Sequence, residues 1–466
     1  MIRPLYIYLL LLIIMVSSCR KDSFTIGADA EIELSADSLH FDTLFTTTGS
    51  VTQAFKLFNR NNSKLRIGTI SLGGQHSYFR FNADGFEGPD VKDIEIAAND
   101  SIYIFVTVKI NPDESNLPFI AQDSISIQFN GVKKVVQLDA WGQNAHFLRA
   151  TVITANTTWT NEKPYVILGG LQVAQNVVLT IEKGTKIFLH GDAPLIIDGS
   201  LKVNGEKTES MEVVFAGDRL DDPYKNYPGA WPGIYFREKS KDNTLTHVLL
   251  KNAYQGIVVE KQSVNSNPKL TLDRCIIDNC YDAGITGSQT SIEAVNCLIS
   301  NCGKNIQLLN GGTYSFTNCT VAAFSNPLIA HKQPVMTITN FVRQGGILEV
   351  SDLKTNIRNC IFWGDNGIVA DEVVVLKEES DGVFEVDFKN TLWKVATPPE
   401  AITSSGMVNT DPLFVNIDTR NNVYNFRIDK NSHAVDAGIF TGITADLDDN
   451  SRSLTFPDAG AYETTF

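Results

Sequence analysis

Basic residues are in short supply. Lysine and arginine number 39 against 53 aspartates and glutamates, for a formal charge of −14 and a pI near 5.0. That balance argues against a nucleic acid or an anionic membrane as the partner. Histidine is scarce too. The seven present are scattered, with no His-x-x-x-His and no cysteine–histidine pair at zinc spacing, which argues against a metal centre of that kind. No Ser-His-Asp arrangement and no phosphate-cradling glycine loop is legible. Beyond the first residues no hydrophobic run is long enough to suggest a membrane. What remains is a chain of 466 residues, long for one compact core, so two or more domains are expected.

The exception is the N-terminus. Arg3 is followed by an apolar stretch from Tyr6 to Val16, too short to span a bilayer, and then by Val16-Ser17-Ser18-Cys19. Small residues just before a cysteine resemble the lipobox of bacterial lipoproteins, although Val16 stands where leucine is usual. The resemblance implies that 1–18 is a signal peptide and that Cys19 is lipidated. Arg20 is not the aspartate that tends to retain such proteins at the inner membrane, so the outer membrane of a Gram-negative bacterium is the expected address. Membrane contact would be through the lipid alone.

The strongest feature is a period. Cys275, Cys297 and Cys319 stand 22 residues apart, as do Cys280 and Cys302. Leu270–Cys275, Ile292–Cys297, Tyr314–Cys319 and Met336–Phe341 align as four lines, and Asn296, Asn318 and Asn340 keep the same spacing. Asn359 and Asn390 fit by context, and Asn279 and Asn301 form a second column. A fixed period in this range marks a solenoid whose repeats bury their apolar faces against each other. At about 3.3 Å per residue, one repeat traces roughly 70 Å, enough for a triangular coil of three short strands. Asparagine tolerates left-handed backbone and bonds to its copy one coil away, so each column reads as a laddered turn. Return segments such as Asn310-Gly-Gly-Thr313 are too short and glycine-rich for the helix of a leucine-rich repeat. Cysteines at matching points of successive coils have parallel side-chain vectors at about 4.8 Å, unsuited to bridging, and read as stacked buried thiols.

The fold class is therefore all-β: an N-terminal immunoglobulin-like β-sandwich followed by a right-handed parallel β-helix. Ala54–Phe58, Ser101–Val108 and Ser124–Phe129 alternate apolar and polar residues between turn clusters such as Asn130-Gly131. Phe55-x-Leu57-x-Asn59, Leu65-x-Ile67, Asn111-Pro112 and Trp141-Gly142 resemble the order of landmarks in the immunoglobulin-like domain of abnormal-spindle and related proteins. That segment, with the linker from Cys19, is placed at 19–147. Leu171–Val173, Val178–Ile187 and Leu195–Leu201 resemble the opening coils of the pectin-lyase-like superfamily, and the β-helix is placed at 148–408. Asp411–Phe414, Asn425–Ile428, Ser432–Gly438 and Pro457–Glu463 resemble the C-terminal unit of secreted β-helix proteins with a choice-of-anchor Q type domain. By that resemblance 409–466 closes the open coil.

Chemistry concentrates in one insertion, Gly217 to Tyr235. Tyr224, Tyr227 and Trp231 lie there among Asp218, Arg219, Asp221, Asp222 and Lys225. Flat aromatic faces take sugar rings while charged groups take hydroxyls, so Arg219, Tyr224, Lys225, Tyr227 and Trp231 are ligand-binding candidates. Trp231 has a packing reading as well, over the edge of a coil. Asp218-Arg219 reads equally as an internal salt bridge bracing the loop. Cleavage of a glycan would need carboxylates, for which Asp218, Asp221 and Asp222 are the candidates. The Trp-x-Asp-His signature of pectate lyases is absent, as are Gly-His-Gly and Arg-x-Lys of polygalacturonases. Asn409-Thr-Asp411 and His190-Gly-Asp192 read as turns. No metal site or cofactor is assigned; Asp446–Asn450 has oxygen ligands at calcium-like spacing but lacks the glycine and distal glutamate of an EF-hand loop.

The expected function is a non-catalytic module that binds a polysaccharide or a surface protein along the β-helix flank. A divergent polysaccharide lyase or glycoside hydrolase, and a purely structural or adhesive protein, stand as alternatives.

Overall fold

The structure is a computed structural model that describes residues 23–45, 52–74, 78–108, 119–143, 145–208, 210–220, 223–365 and 367–464. Cys19 and the signal segment, Asn111-Pro112, Asp221 and Asp222 lie outside the described residues. The chain divides into two compact units, 1–144 and 145–466.

The first unit is a β-sandwich of two five-stranded sheets. One holds Ile32–Leu34, Gln53–Asn59, Ser101–Val108, Phe79–Ala83 and Phe86–Glu87, all antiparallel. In the other, Val132–Gln143 pairs antiparallel with Phe119–Phe129 and parallel with Ser38–Phe45. Strand alternation drives Phe55, Leu57, Ile104, Val106, Ile125 and Ile127 into a shared core. Asn130 (φ 46°) and Gly131 (φ 80°) form the two-residue hairpin turn whose positive φ values match strand twist. Asn59 is buried at the end of its strand, where its amide donates to the Ser63, Ile96 and Ala97 carbonyls.

In the second unit, 24 strands from His146 to Val408 join in one sheet, every pairing parallel, which is a parallel β-helix. Leu270–Asp273, Ile276–Asp278 and the start of Ala283–Val295 make one coil. Leu270, Leu272, Cys275, Ile277, Cys280 and Ile285 point inward and are buried. The next coil repeats this in register, with Leu270 opposite Ile292, and Ile292 opposite Tyr314. The corners are left-handed as expected: Asn296, Asn318, Asn359 and Asn390 have φ of 52–53°, and Arg274 precedes them at 53°. A second corner column runs through Asn252, Asn279 and Asn301. All six described cysteines are free and buried.

The fourth line of the 22-residue alignment does not hold. Met336–Thr339 pairs with Ile306–Leu308, on a different face from Tyr314. The coil above Tyr314 is Leu353–Arg358, reached after the intervening segment 324–352. Cys360 therefore stacks on Cys319, whose backbone N–H donates to its sulfur at 3.4 Å. Asn340 is not a corner residue; its side chain exchanges two hydrogen bonds with the Glu378 backbone.

The segment after Val408 does not lie over the last coil. Following an antiparallel hairpin of Phe414–Asp418 and Val423–Ile428, it runs lengthwise along the first corner column. Asn390 donates to the Ala437 carbonyl, Asn359 exchanges bonds with Ile439, and Asn296 donates to the Ala445 carbonyl. Arg274 reaches Asp449 at 2.5 Å. Beneath it Leu298, Ala322, Ile361 and Leu392 pack against Phe426, Ile428, Leu447 and Tyr462. Strands such as Thr320–Ala323 are thus buried on both faces, so their side chains are apolar or small throughout instead of alternating. The segment covers a flank because the outward face of those strands is apolar, whereas Thr403–Val408 at the end of the helix is largely exposed.

Candidate functional site

The insertion leaves the β-helix after Val213–Gly217 and returns at Ile234–Phe236, with a single short turn of 3₁₀-helix at Tyr224–Asn226. Two corner asparagines hold it down. The Asn252 amide donates to the Lys225 carbonyl at 2.7 Å, and the Asn279 amide to the Asn226 carbonyl at 2.9 Å. The Asn279 amide also donates to Asn252 Oδ1 at 2.8 Å, so the ladder and the loop share one network. Gly229 and Ala230 donate to the Ala253 and Asn252 carbonyls. Gly233 closes the loop at φ 131°, where a side chain would strike the Gln255 carbonyl at 1.7 Å.

Trp231 is corrected by the structure from a ligand-binding candidate to a core residue. It is 1% exposed, and its indole N–H donates to the Lys251 carbonyl at 3.0 Å. A ring so enclosed has no face to offer a ligand. Asp218 and Arg219 diverge: the Asp218 carboxylate shares a 2.7 Å hydrogen bond with His190 Nδ1, and the Arg219 guanidinium lies 4.0 Å over the Tyr224 ring. Burial raises the Asp218 pKa above the ordinary carboxylate value, with the neighbouring His190 pulling the other way. His190 indeed sits in a turn, but its ring is committed to Asp218.

Tyr227, and Tyr224 on the face that Arg219 does not cover, remain available, both about two-fifths exposed with ring centroids 5.3 Å apart. Lys225 is exposed and not without a partner. Two further tyrosines join them that the sequence reading missed. Tyr254 and Tyr281 are 48% and 54% exposed and stack at 5.5 Å between centroids. A side chain on Gly229 would contact both, so the tip of the loop lies beside them. Each follows its corner asparagine by two residues, Asn252 and Asn279, and that offset was the available signal. Their 27-residue separation hid it, because Gln262–Pro268 lengthens the coil. Beside them Gln255 bonds Asp282, and Lys304 bonds Asp282 at 3.0 Å, one residue per coil.

Next to this surface is a cavity of about 270 Å³. Its lining comes from the loop (Asn226), the second corner column (Asn252, Asn279, Asn301) and the C-terminal hairpin (Asn422, Tyr424), with Lys251 and Asp278. The Asp278 carboxylate accepts from Ser300 Oγ at 2.6 Å, and burial raises its pKa. The Tyr424 hydroxyl is shielded from solvent and lies beside Asn326, which also lines the cavity.

The calcium-like segment does not converge on a point. Asp446 accepts backbone N–H groups of Asp448, Asn450 and Glu463, while Asp448 pairs with Arg427 and Asp449 with Arg274. No group of three or more His, Cys, Asp or Glu positioned to hold a metal is found among the described residues. Among them also, no helix is long and apolar enough to cross a membrane.

Residues 232–374 match the family described as the right handed beta helix region, which gives the solenoid its handedness. No curated protein matches this chain. Among solved structures, the catalytic unit of a thermostable family-87 α-1,3-glucanase from Streptomyces thermodiastaticus aligns over 82% of this chain and 97% of its own, at 10% identity and TM-score 0.20. A family-123 glycoside hydrolase from Clostridium perfringens aligns over 24% of this chain and 27% of its own, at 9% identity and TM-score 0.19. A PapD-like domain of human CEP192 aligns over 27% and 92%, at 10% identity and TM-score 0.18. This chain thus spans about a quarter of the family-123 enzyme. Likenesses at this level support no conclusion about function.

Proposed function

We propose that this is an exported, lipid-anchored envelope protein whose β-helix is a non-catalytic module for binding polysaccharide. The observation that carries the reading is the cluster of half-exposed tyrosines, Tyr224, Tyr227, Tyr254 and Tyr281, bordering an amide-lined cavity. Aromatic faces remove the apolar faces of sugar rings from water, and amides fix their hydroxyls. The rigid solenoid holds these groups in place with its corner hydrogen bonds. The sandwich, read as immunoglobulin-like, serves as a spacer or docking unit between anchor and β-helix. Arg3, the stretch Tyr6–Val16, Cys19 and Arg20 support export and attachment at the outer membrane of a Gram-negative bacterium.

One observation favours a second reading. A carboxyl group whose pKa is raised by burial, bonded to a half-exposed imidazole, is the kind of pair that moves protons in catalysis. Asp218 with His190 therefore keeps a divergent glycoside hydrolase or polysaccharide lyase as the alternative.

The two separate in one experiment: the full chain is incubated in detergent with a panel of polysaccharides, and each glycan is sized by gel filtration. Intact chains that co-elute with protein support binding. Shortened chains, with shortening lost in Asp218→Asn, establish the enzyme. A panel that neither shifts nor shortens removes both carbohydrate readings and leaves a structural or adhesive surface protein.

A further inference from the structure

The corner carrying Tyr254 and Tyr281 is not poor in charge, yet two of its basic side chains are paired with carboxylates. Lys304 lies 3.0 Å from Asp282, and His190 is bonded to Asp218. The Arg219 guanidinium is spread over Tyr224, and Lys225 is engaged in a contact with a neighbour. Lys251 lines the cavity together with Asp278, whose carboxylate its charge favours. Recognition of a polyanion requires guanidinium or ammonium groups that are not already neutralised, since an anion withdrawn from water is stable only when paired. The formal charge of −14 opposes the approach of a polyanion as well.

What the corner offers instead is amide and phenol. The side chains of Asn226 and Asn422 line the cavity and make no hydrogen bond among the described residues, and the shielded Tyr424 hydroxyl lies beside the Asn326 amide. An amide both donates and accepts, which matches a sugar hydroxyl; a carboxylate only accepts. The cavity, about 270 Å³, is just below the range of roughly 300–1,000 Å³ for small-ligand sites, room for part of a sugar residue. It opens beside Asn226, which Asn279 holds, three residues from Gly229, which lies beside Tyr254 and Tyr281.

We infer that the ligand of this corner is an uncharged, hydroxyl-rich glycan, with one sugar ring on the Tyr254–Tyr281 face and hydroxyls of a neighbouring residue in the asparagine-lined cavity. The inference rests on the carbohydrate-binding reading and narrows it to a chemical class.

The test is affinity electrophoresis of the full chain in detergent through gels containing neutral glucan, mannan or xylan, or polygalacturonate or alginate, at low and high ionic strength. A neutral glycan is expected to retard the protein equally at both ionic strengths, because no ion pair is screened. Tyr254→Ala and Tyr281→Ala should each weaken that retardation about tenfold, equivalent to about 1.4 kcal/mol. Tyr254→Phe and Tyr281→Phe should keep it, and Asn226→Trp should reduce it by filling the mouth of the cavity. Unchanged melting of the alanine variants excludes misfolding as the cause. Tyrosine-dependent, salt-sensitive retardation by a polyuronate overturns the class while leaving the carbohydrate reading intact. Neutral retardation indifferent to all these substitutions overturns the location. No retardation in any gel overturns the class and the carbohydrate reading together.

Discussion

Asn296 and Arg452 are 156 residues apart in sequence and joined by two hydrogen bonds. Arg452 Nε and Nη2 donate to Asn296 Oδ1 at 3.1 and 3.0 Å. A corner asparagine expected to bond its own copy in the next coil serves instead as a socket for the C-terminal segment. Arg452 is almost wholly buried, and its remaining donors reach the Asp458 and Gly460 carbonyls and the Glu463 carboxylate. A planar guanidinium satisfies four acceptors in this way, as no other side chain does.

Removing that group leaves the Asp458 and Gly460 carbonyls without their donor and the buried Glu463 carboxylate, still bonded by the Ser453 and Asp458 N–H groups, without its counter-charge. Arg452→Met is expected to cost about 3–5 kcal/mol, the range for breaking one side of a buried ion pair. Arg452→Lys should not restore it, because a point charge cannot fork between Asn296 and Glu463. Urea denaturation gives the loss, and limited proteolysis should show new cuts within 432–464. An unchanged urea midpoint with no new cuts would mean that the segment is not held through this residue.

Trp231 and the exposed tyrosines should part company experimentally. Trp231→Ala empties a fully enclosed core position and should cost about 3–5 kcal/mol. Tyr254→Ala and Tyr281→Ala remove half-exposed rings and should shift the melting temperature little. Should Trp231→Ala melt like wild type, the indole would not be the core residue described here.

Lys269 supplies a pH dependence. It is fully buried, and its ammonium donates to the carbonyls of Arg237, Glu238 and Glu260 at 3.2, 3.0 and 2.6 Å. Desolvation lowers its pKa from 10.5 to about 8. Between those values the unfolded chain binds more protons than the folded one, so this group makes stability rise as pH increases from about 8 to 10.5. Lys269→Met should remove that rise and also destabilise, by about 1–3 kcal/mol per carbonyl left unsatisfied. Denaturation series of both proteins across that window are the check; parallel curves would show that Lys269 titrates alike in both states.

The stacked cysteines should be chemically silent. Burial raises the pKa of Cys275, Cys297, Cys302 and Cys319 well above the ordinary thiol value, and only thiolate reacts. Iodoacetamide with mass spectrometry should modify none of the six in the native protein and all six in urea. Failure to alkylate them after unfolding without reductant would reveal disulfides.

Much of the fold was legible because a β-helix writes its geometry into spacing. Between Leu270 and Ala323 no coil carries an insertion, so 22 residues return the chain to the same face and Cys275, Cys297 and Cys319 coincide. Beyond Ala323 the count misled. Registry is set by pairing with the neighbouring coil, and extra residues before Met336 together with the inserted hairpin of Phe341–Gln344 with Ile347–Val350 displace the next copy to Cys360. The loop 217–235 was found by its composition. Burial of Trp231 depends on contacts that composition does not encode, and the Asp218–His190 bond joins residues of adjacent coils across an irregular insertion. Docking of 409–466 along the flank left one trace, the unbroken run Thr320-Val-Ala-Ala323, whose meaning rests on a partner nearly a hundred residues away.

The corner column allows backbone strain to be separated from hydrogen bonding at Asn359. Its φ is 52°, its amide donates to Asn318 Oδ1 at 2.9 Å and to the Ile439 carbonyl at 2.8 Å, and its Oδ1 accepts the Ile439 N–H. Asn359→Gly keeps the left-handed backbone at no steric cost and loses only the side-chain bonds, each worth about 1 kcal/mol. Asn359→Ala loses the same bonds and must also hold a Cβ in the left-handed region, adding roughly 1–2 kcal/mol. Alanine should therefore be the more destabilising substitution by that margin in urea denaturation, the reverse of its usual advantage over glycine. Equal losses would mean that the corner relaxes out of the left-handed conformation, and that the asparagine column holds the coil through hydrogen bonds alone.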